Sequence, residues 1–135
     1  MEDLEIKGET GVYFVPNVSL KAATGVCEIS GESYLEDTDE FYSDIINWLE
    51  QYIKDINNPI AFNFKLTYFN TSSSRSILNV LRVLKNYEKA GGKVAVNWFY
   101  PEDDDSIAEE AEDYMIDTQL NINMLPFDPD ESDDD

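Results

Sequence analysis

Histidine is missing from this sequence altogether, and with it go the Ser-His and Cys-His nucleophilic systems and every histidine-ligated metal centre. Most of the common enzyme readings are thereby removed. Cysteine occurs once, as Cys27 in an apolar stretch, so no internal disulfide can form and a buried thiol in a reducing compartment is expected. No run approaches the roughly 18 apolar residues that a membrane span needs. The opening Met1-Glu2-Asp3-Leu4-Glu5 is acidic with no apolar stretch behind it. The expected setting is the cytoplasm, away from any membrane.

Positive charge is the other scarcity: nine Lys and Arg stand against 29 Asp and Glu, a formal net charge of −20 over 135 residues. The deficit is uneven. Residues 101–135 hold 15 acidic and no basic side chains, whereas residues 60–100 hold Lys65, Arg75, Arg82, Lys85, Lys89 and Lys93 against Glu88 alone. The excess of +5 in that central segment must compete with the acidic tail, so direct nucleic-acid binding is disfavoured and a basic protein partner fits better. The length suits one domain with one core. Residues 1–127 are read as that domain, and 128–135, with six acidic residues in eight and no hydrophobic one, as a disordered acidic tail.

What is present alternates between two periods. Residues 11–20 and 26–30 mix β-branched and aromatic side chains around a turn at 21–25 and read as an antiparallel hairpin, with Pro16 suggesting an edge and Gly31 ending the second strand. Asp37, with Glu40 three residues on, starts a helix whose apolar positions Phe41, Ile45, Trp48 or Leu49, Tyr52 and Ile56 recur at helical spacing until Asn57-Asn58-Pro59. From Ile60 the period becomes 2, placing Ile60, Phe62, Phe64, Leu66 and Tyr68 on one face. A second helix, roughly 72–90, buries Ile77, Val80, Leu81, Leu84 and Tyr87 and stops at Gly91-Gly92. A strand at 93–100, a helix through about Ile116 and a short strand or extended segment at 121–127 follow.

The fold class is therefore α/β: a four-stranded mixed sheet, antiparallel hairpin first and then parallel β-α-β-α-β, plus a C-terminal helix. Alternating rather than continuous apolar strands place the helices mainly on one face. Asp103, Asp104 and Asp105 at a helix start suit the dipole and the cap better than a hard cation. No metal or other cofactor is called for.

Asn70-Thr71-Ser72-Ser73-Ser74-Arg75 stands where the central strand hands over to the second helix. There the first amides lack intrahelical partners and favour a side-chain oxygen or an attached phosphate. Its plainest reading is an N-cap at Thr71 or Ser72. Thr71, Arg75, Leu78, Arg82, Lys85 and Lys89 share one side of that helix, so Arg75, four residues on, is within reach of a phosphate on Thr71. Asn70, Ser72 and Ser73 are the other candidates to support such a phosphate. Leu78 and Arg82 are candidates to meet a partner. A hydrolase using one of Ser72 to Ser74 with Lys65 as base is the remaining chemical reading, and nothing in the sequence orients that base.

The residues Ile29-Ser-Gly-Glu-Ser-Tyr34, Phe41 through Trp48-Leu49, Leu66-Thr-Tyr-Phe-Asn-Thr-Ser-Ser-Ser74 and Val96-Asn-Trp-Phe-Tyr100 with its acidic run resemble the SiaC family of bacterial regulatory phosphoproteins. The resemblance implies a fold similar to the STAS domains of anti-sigma-factor antagonists and a partner switch without enzymatic activity. A serine/threonine kinase would phosphorylate the threonine that maps onto Thr71, a phosphatase would remove the group, and the unmodified form would bind and activate a diguanylate cyclase. Cyclic-di-GMP signalling and control of biofilm or aggregation would be the setting. The alternative is an anti-sigma-factor antagonist that switches between a kinase and an anti-sigma factor.

Overall fold

The computed structural model describes residues 1–130, so residues 131–135 of the expected acidic tail lie outside the described residues. Nine elements follow in order: β1 (Leu4–Ile6), β2 (Asn17–Leu20), β3 (Val26–Ser33), α1 (Thr38–Asp55), β4 (Ile60–Phe69), α2 (Thr71–Lys89), β5 (Val94–Pro101), α3 (Asp105–Thr118) and β6 (Ile122–Phe127). The six strands form one sheet in the order β1-β2-β3-β4-β5-β6. β1, β2 and β3 pair antiparallel, and β3 through β6 pair parallel.

The sheet is thus six-stranded where the sequence suggested four. β1 is too short to display a period, and it forms because β2 offers it an edge from Leu4↔Leu20 to Ile6↔Val18. β6 carries Pro126, which cannot donate to a ladder, yet as the outermost strand it pairs with β5 from Val96↔Ile122 to Pro101↔Phe127. The first hairpin strand is also shorter than expected: of residues 11–15, Phe14 and Val15 alone are paired, in isolated bridges to Tyr34 and Glu9.

Each of the connections through α1, α2 and α3 moves one strand along the sheet in the same direction, which for right-handed crossovers stacks the helices on one face. Burial agrees. On β4, Ile60, Phe62, Phe64 and Leu66 are buried, while Ala61, Asn63 and Lys65 are half-buried and Thr67 is exposed. Asp37 caps α1 by accepting from the Glu40 amide at 3.1 Å, and Tyr42, Ile45, Trp48, Leu49 and Tyr52 are buried. α2 buries the expected Ile77, Val80, Leu81, Leu84 and Tyr87, and α3 presents Ile107, Ala111 and Tyr114. Phe64 and Trp98 stack at 4.7 Å in the centre of the core, with Tyr114 5.6 Å from the Trp98 ring. On the uncovered face Lys65 pairs with Glu28 at 3.1 Å and lies over the Phe99 ring. Beside it, Asn123 donates to Asn97 and Asn97 to Asn63 across three strands.

One irregularity positions the site. β3 does not end at Gly31 but continues to Ser33 through a register shift, with Gly31 at φ 101° and the pairs Gly31↔Leu66 and Glu32↔Tyr68. Thr67 is the extra residue, and a bulge of this kind turns the side chains after it to the other face. Tyr68, expected in the core, is accordingly 47% exposed. Phe69 takes the inward place, packing edge-on against Trp98. The chain then enters α2 with Asn70.

Candidate functional site

The cap of α2 is Asn70, not Thr71 or Ser72: its side-chain oxygen accepts from the Ser73 amide at 3.0 Å and its carbonyl from the Ser74 amide. Thr71 is therefore the first helical residue. Of the four amides that a helix start leaves without an intrahelical partner, that of Asn70 donates to the Ser33 carbonyl and that of Ser73 to the cap side chain, and those of Thr71 and Ser72 have no partner among the described residues. α1 and α3 carry carboxylates in their first turns, Asp39 and Glu40 in one and Asp105 in the other, whereas α2 carries none. Its positive end is uncompensated by side chains of its own first turn.

The four hydroxyls that follow have different environments. Ser73 is fully buried, and its hydroxyl donates to the Ser33 carbonyl at 3.1 Å. Because each hydroxyl has one proton, that bond fixes the direction of the others: Tyr42 donates to the Ser33 hydroxyl, and Ser33 to that of Ser73, both at 2.8 Å. Burial pushes the Tyr42 hydroxyl up to about 12, against the opposing effect of its bond to Ser33. Ser74 donates to Glu110 at 3.1 Å and receives Tyr114 at 2.6 Å. Burial likewise raises the Tyr114 pKa, opposed by the Ser74 bond and assisted by the Glu110 charge. Ser72 is exposed but bonded to Thr38 at 3.0 Å and to the Asn70 side chain at 3.3 Å. Thr71 is exposed, and its hydroxyl has no hydrogen-bond partner among the described residues.

Of the residues singled out in the sequence, Asn70, Thr71, Ser72 and Arg75 gather at the open end of α2, while Ser73 has both its amide and its hydroxyl engaged beneath it. Arg75 and Arg82 are exposed and take part in no ion pair among the described residues. Lys85 is tied to Glu88 and to the Gln119 carbonyl. Leu78 is half-buried and packed against the core, less outward than its place in the basic stripe suggested. Lys65 belongs to the uncovered sheet face, bonded to Glu28 and away from the serines of α2. Asp104 caps α3 through the Ser106 and Ile107 amides, and among the described residues no cluster of acidic or cysteine side chains is arranged to hold a metal. Among the described residues no helix is long and apolar enough to cross a membrane.

Sequence reasoning missed Ser33, Thr38, Tyr42, Glu110 and Tyr114 as parts of this site. One signal was available: Tyr42 and Tyr114 lie among the buried positions of their helices, and a buried tyrosine hydroxyl requires a polar partner somewhere.

A two-layer α/β domain that holds three serines in place and leaves one threonine free at a helix start has the form of a regulatory module. The chain belongs to the SiaC family of regulatory phosphoproteins, whose family model matches residues 6–127. The apo-SiaC crystal structure from Pseudomonas aeruginosa superimposes with a TM-score of 0.82 at 28% identity, covering 93% of this chain and 99% of that one. An uncharacterised protein of Pseudomonas aeruginosa strain UCBPP-PA14 is 29% identical over 128 residues, 95% of this chain and 99% of that protein. SiaC of Pseudomonas aeruginosa has also been solved in complex with the diguanylate cyclase SiaD, of which it is the activator. That SiaC chain matches at a TM-score of 0.81 and 24% identity, over 90% of this chain and all of its own.

Proposed function

We propose that this protein is a non-enzymatic cytoplasmic regulator switched by reversible phosphorylation of Thr71. The unphosphorylated form binds and activates a diguanylate cyclase; a serine/threonine kinase adds the phosphate and a phosphatase removes it. The observation that carries this reading is the selective freedom of Thr71, whose three serine neighbours are each engaged in hydrogen bonds. The activator role of Pseudomonas SiaC toward SiaD supports the choice of partner.

A phosphothreonine adds about −1.5 to −2 charges and three acceptor oxygens. The free amides of Thr71 and Ser72, the positive end of α2 and Arg75 one turn on can meet that charge, so the fold tolerates it. The Asn70 and Ser72 side chains border it. A partner seated over Thr71, the exposed edge of Leu78 and Arg82 must instead desolvate a dianion, and each 1.4 kcal/mol of that cost is about tenfold in affinity.

The test is calorimetric titration of the cognate cyclase with unmodified protein, stoichiometrically Thr71-phosphorylated protein, Thr71→Ala and Thr71→Asp. Phosphorylation is expected to weaken binding by about a hundredfold or more. Thr71→Ala should bind as the unmodified chain does, and Thr71→Asp should fall between, having less charge and fewer acceptors. Equal affinity of the two phosphorylation states would rule the switch out. Affinity capture that recovers an anti-sigma factor in place of a cyclase would reassign the target.

A further inference from the structure

A groove of about 510 Å³ lies between the segment 9–15 and the first turns of α1, and Thr71 is not among the residues that line it. Its apolar lining includes Val12, Tyr13, Leu35 and Phe41. Val12 is 84% exposed and Tyr13 39%, although Tyr13 already leans on the Tyr34 ring at 5.8 Å. Around these side chains stand Glu9, Glu36, Asp37, Glu40 and Asp44, with no Lys or Arg in the lining. None of the five carboxylates takes part in an ion pair among the described residues. Only Asp37 has a side-chain role within the fold, as the cap of α1.

Five like charges around one depression raise a strongly negative potential there, and apolar walls of low dielectric concentrate it. Nucleotides and anionic headgroups are repelled by such a field, and an uncharged small molecule would leave the carboxylates unused. Residues 128–135 of the chain itself carry six acidic side chains and no basic one, so like charge bars them from the groove. We infer that this groove is a second interaction surface, which takes a partner-protein segment with two or more Arg or Lys residues flanking an aliphatic or aromatic anchor. The anchor seats on Val12, Tyr13 and Phe41, and the cations meet the rim. Thr71 lies outside the lining of this surface, so its hydroxyl takes no part in the contact.

The probe is a fluorescein-labelled nonapeptide of alternating arginine and leucine, titrated by anisotropy at physiological salt, with its glutamate-for-arginine counterpart as reference. Saturable one-to-one binding of the arginine peptide alone is expected. Glu9→Lys/Glu36→Lys, the first in an isolated bridge to Val15 held by backbone alone and the second in a bend before α1, should weaken it by at least about tenfold, since close interfacial charge pairs couple by about 1.5 kcal/mol or more. Val12→Ser should weaken it while leaving the melting temperature unchanged, and Thr71→Ala should leave it unaltered. Glu109→Lys/Glu112→Lys on α3 makes the same change in net charge elsewhere. An equal loss in that variant would reduce the effect to the general field of an acidic protein and overturn the proposal, as would failure to saturate. Sedimentation velocity of the protein alone supplies the other check: self-association abolished by Glu9→Lys/Glu36→Lys would assign the groove to cations of a second copy instead.

Discussion

At the residue scale, the relay from Tyr42 through Ser33 to Ser73 anchors the start of α2 to α1 and β3. Tyr42→Phe removes one hydroxyl and leaves Ser33 short of a donor, at an expected cost of about 1–3 kcal/mol, read from denaturant unfolding. The relay also has a pH signature. An unfolded tyrosine loses its proton near 10, whereas the buried Tyr42 holds it to about 12. Across that interval the unfolded chain binds fewer protons than the folded one, so this contribution is complete below about pH 10 and is lost as pH rises toward 12. Tyr114 and Cys27 are shifted upward for the same reason, burial. Thermal melting through the alkaline range should therefore show a falling midpoint, blunted but not abolished in Tyr42→Phe.

Among the elements, α2 depends on its cap. Asn70→Ala removes the acceptor for the Ser73 amide and should cost about 1 kcal/mol of stability. Leu78→Ala should cost less than the roughly 2–5 kcal/mol of a fully buried truncation, because Leu78 is half-buried at the margin of the core. A full core-sized loss in the melting curve would remove Leu78 from the partner surface. The three helices and β4 and β5 were legible because each is long enough to repeat its period several times, and the buried stripe of α2 is the one the sequence shows. β1 was not, since three residues carry no period, and β6 was legible only as a short strand or extended segment at 121–127, because its proline left open whether it joins the sheet. The bulge at Thr67 was invisible for a different reason: it arises from a pairing between strands, not from either strand alone. Thr71 could be found as the first hydroxyl after a strand. Its freedom could not, because that is defined by Ser33, Thr38 and Tyr114, which lie between 34 and 40 residues away in the chain from the serines they hold.

On the scale of the whole molecule, the charge is lopsided: among the described residues no ion pair joins the basic side of α2 to the acidic residues that follow β5. Deleting residues 128–135 should shift stability by no more than about 0.5 kcal/mol, since that segment holds no apolar side chain to contribute to a core. Melting at moderate salt checks this, and a loss above about 2 kcal/mol would mean that the segment packs.

The order of strands in the sheet is the order in which the chain is synthesised, so each emerging β-α unit finds its neighbour already made. The site does not mature in the same steps. Thr71 and the serines leave the ribosome some 40 residues ahead of Tyr114, which completes the restraint on Ser74. With Thr71 as the proposed phosphoacceptor, a kinase meeting the chain before Tyr114 has emerged would find Ser74 less guarded than in the folded domain, so the discrimination between the two hydroxyls would be complete only once α3 has docked.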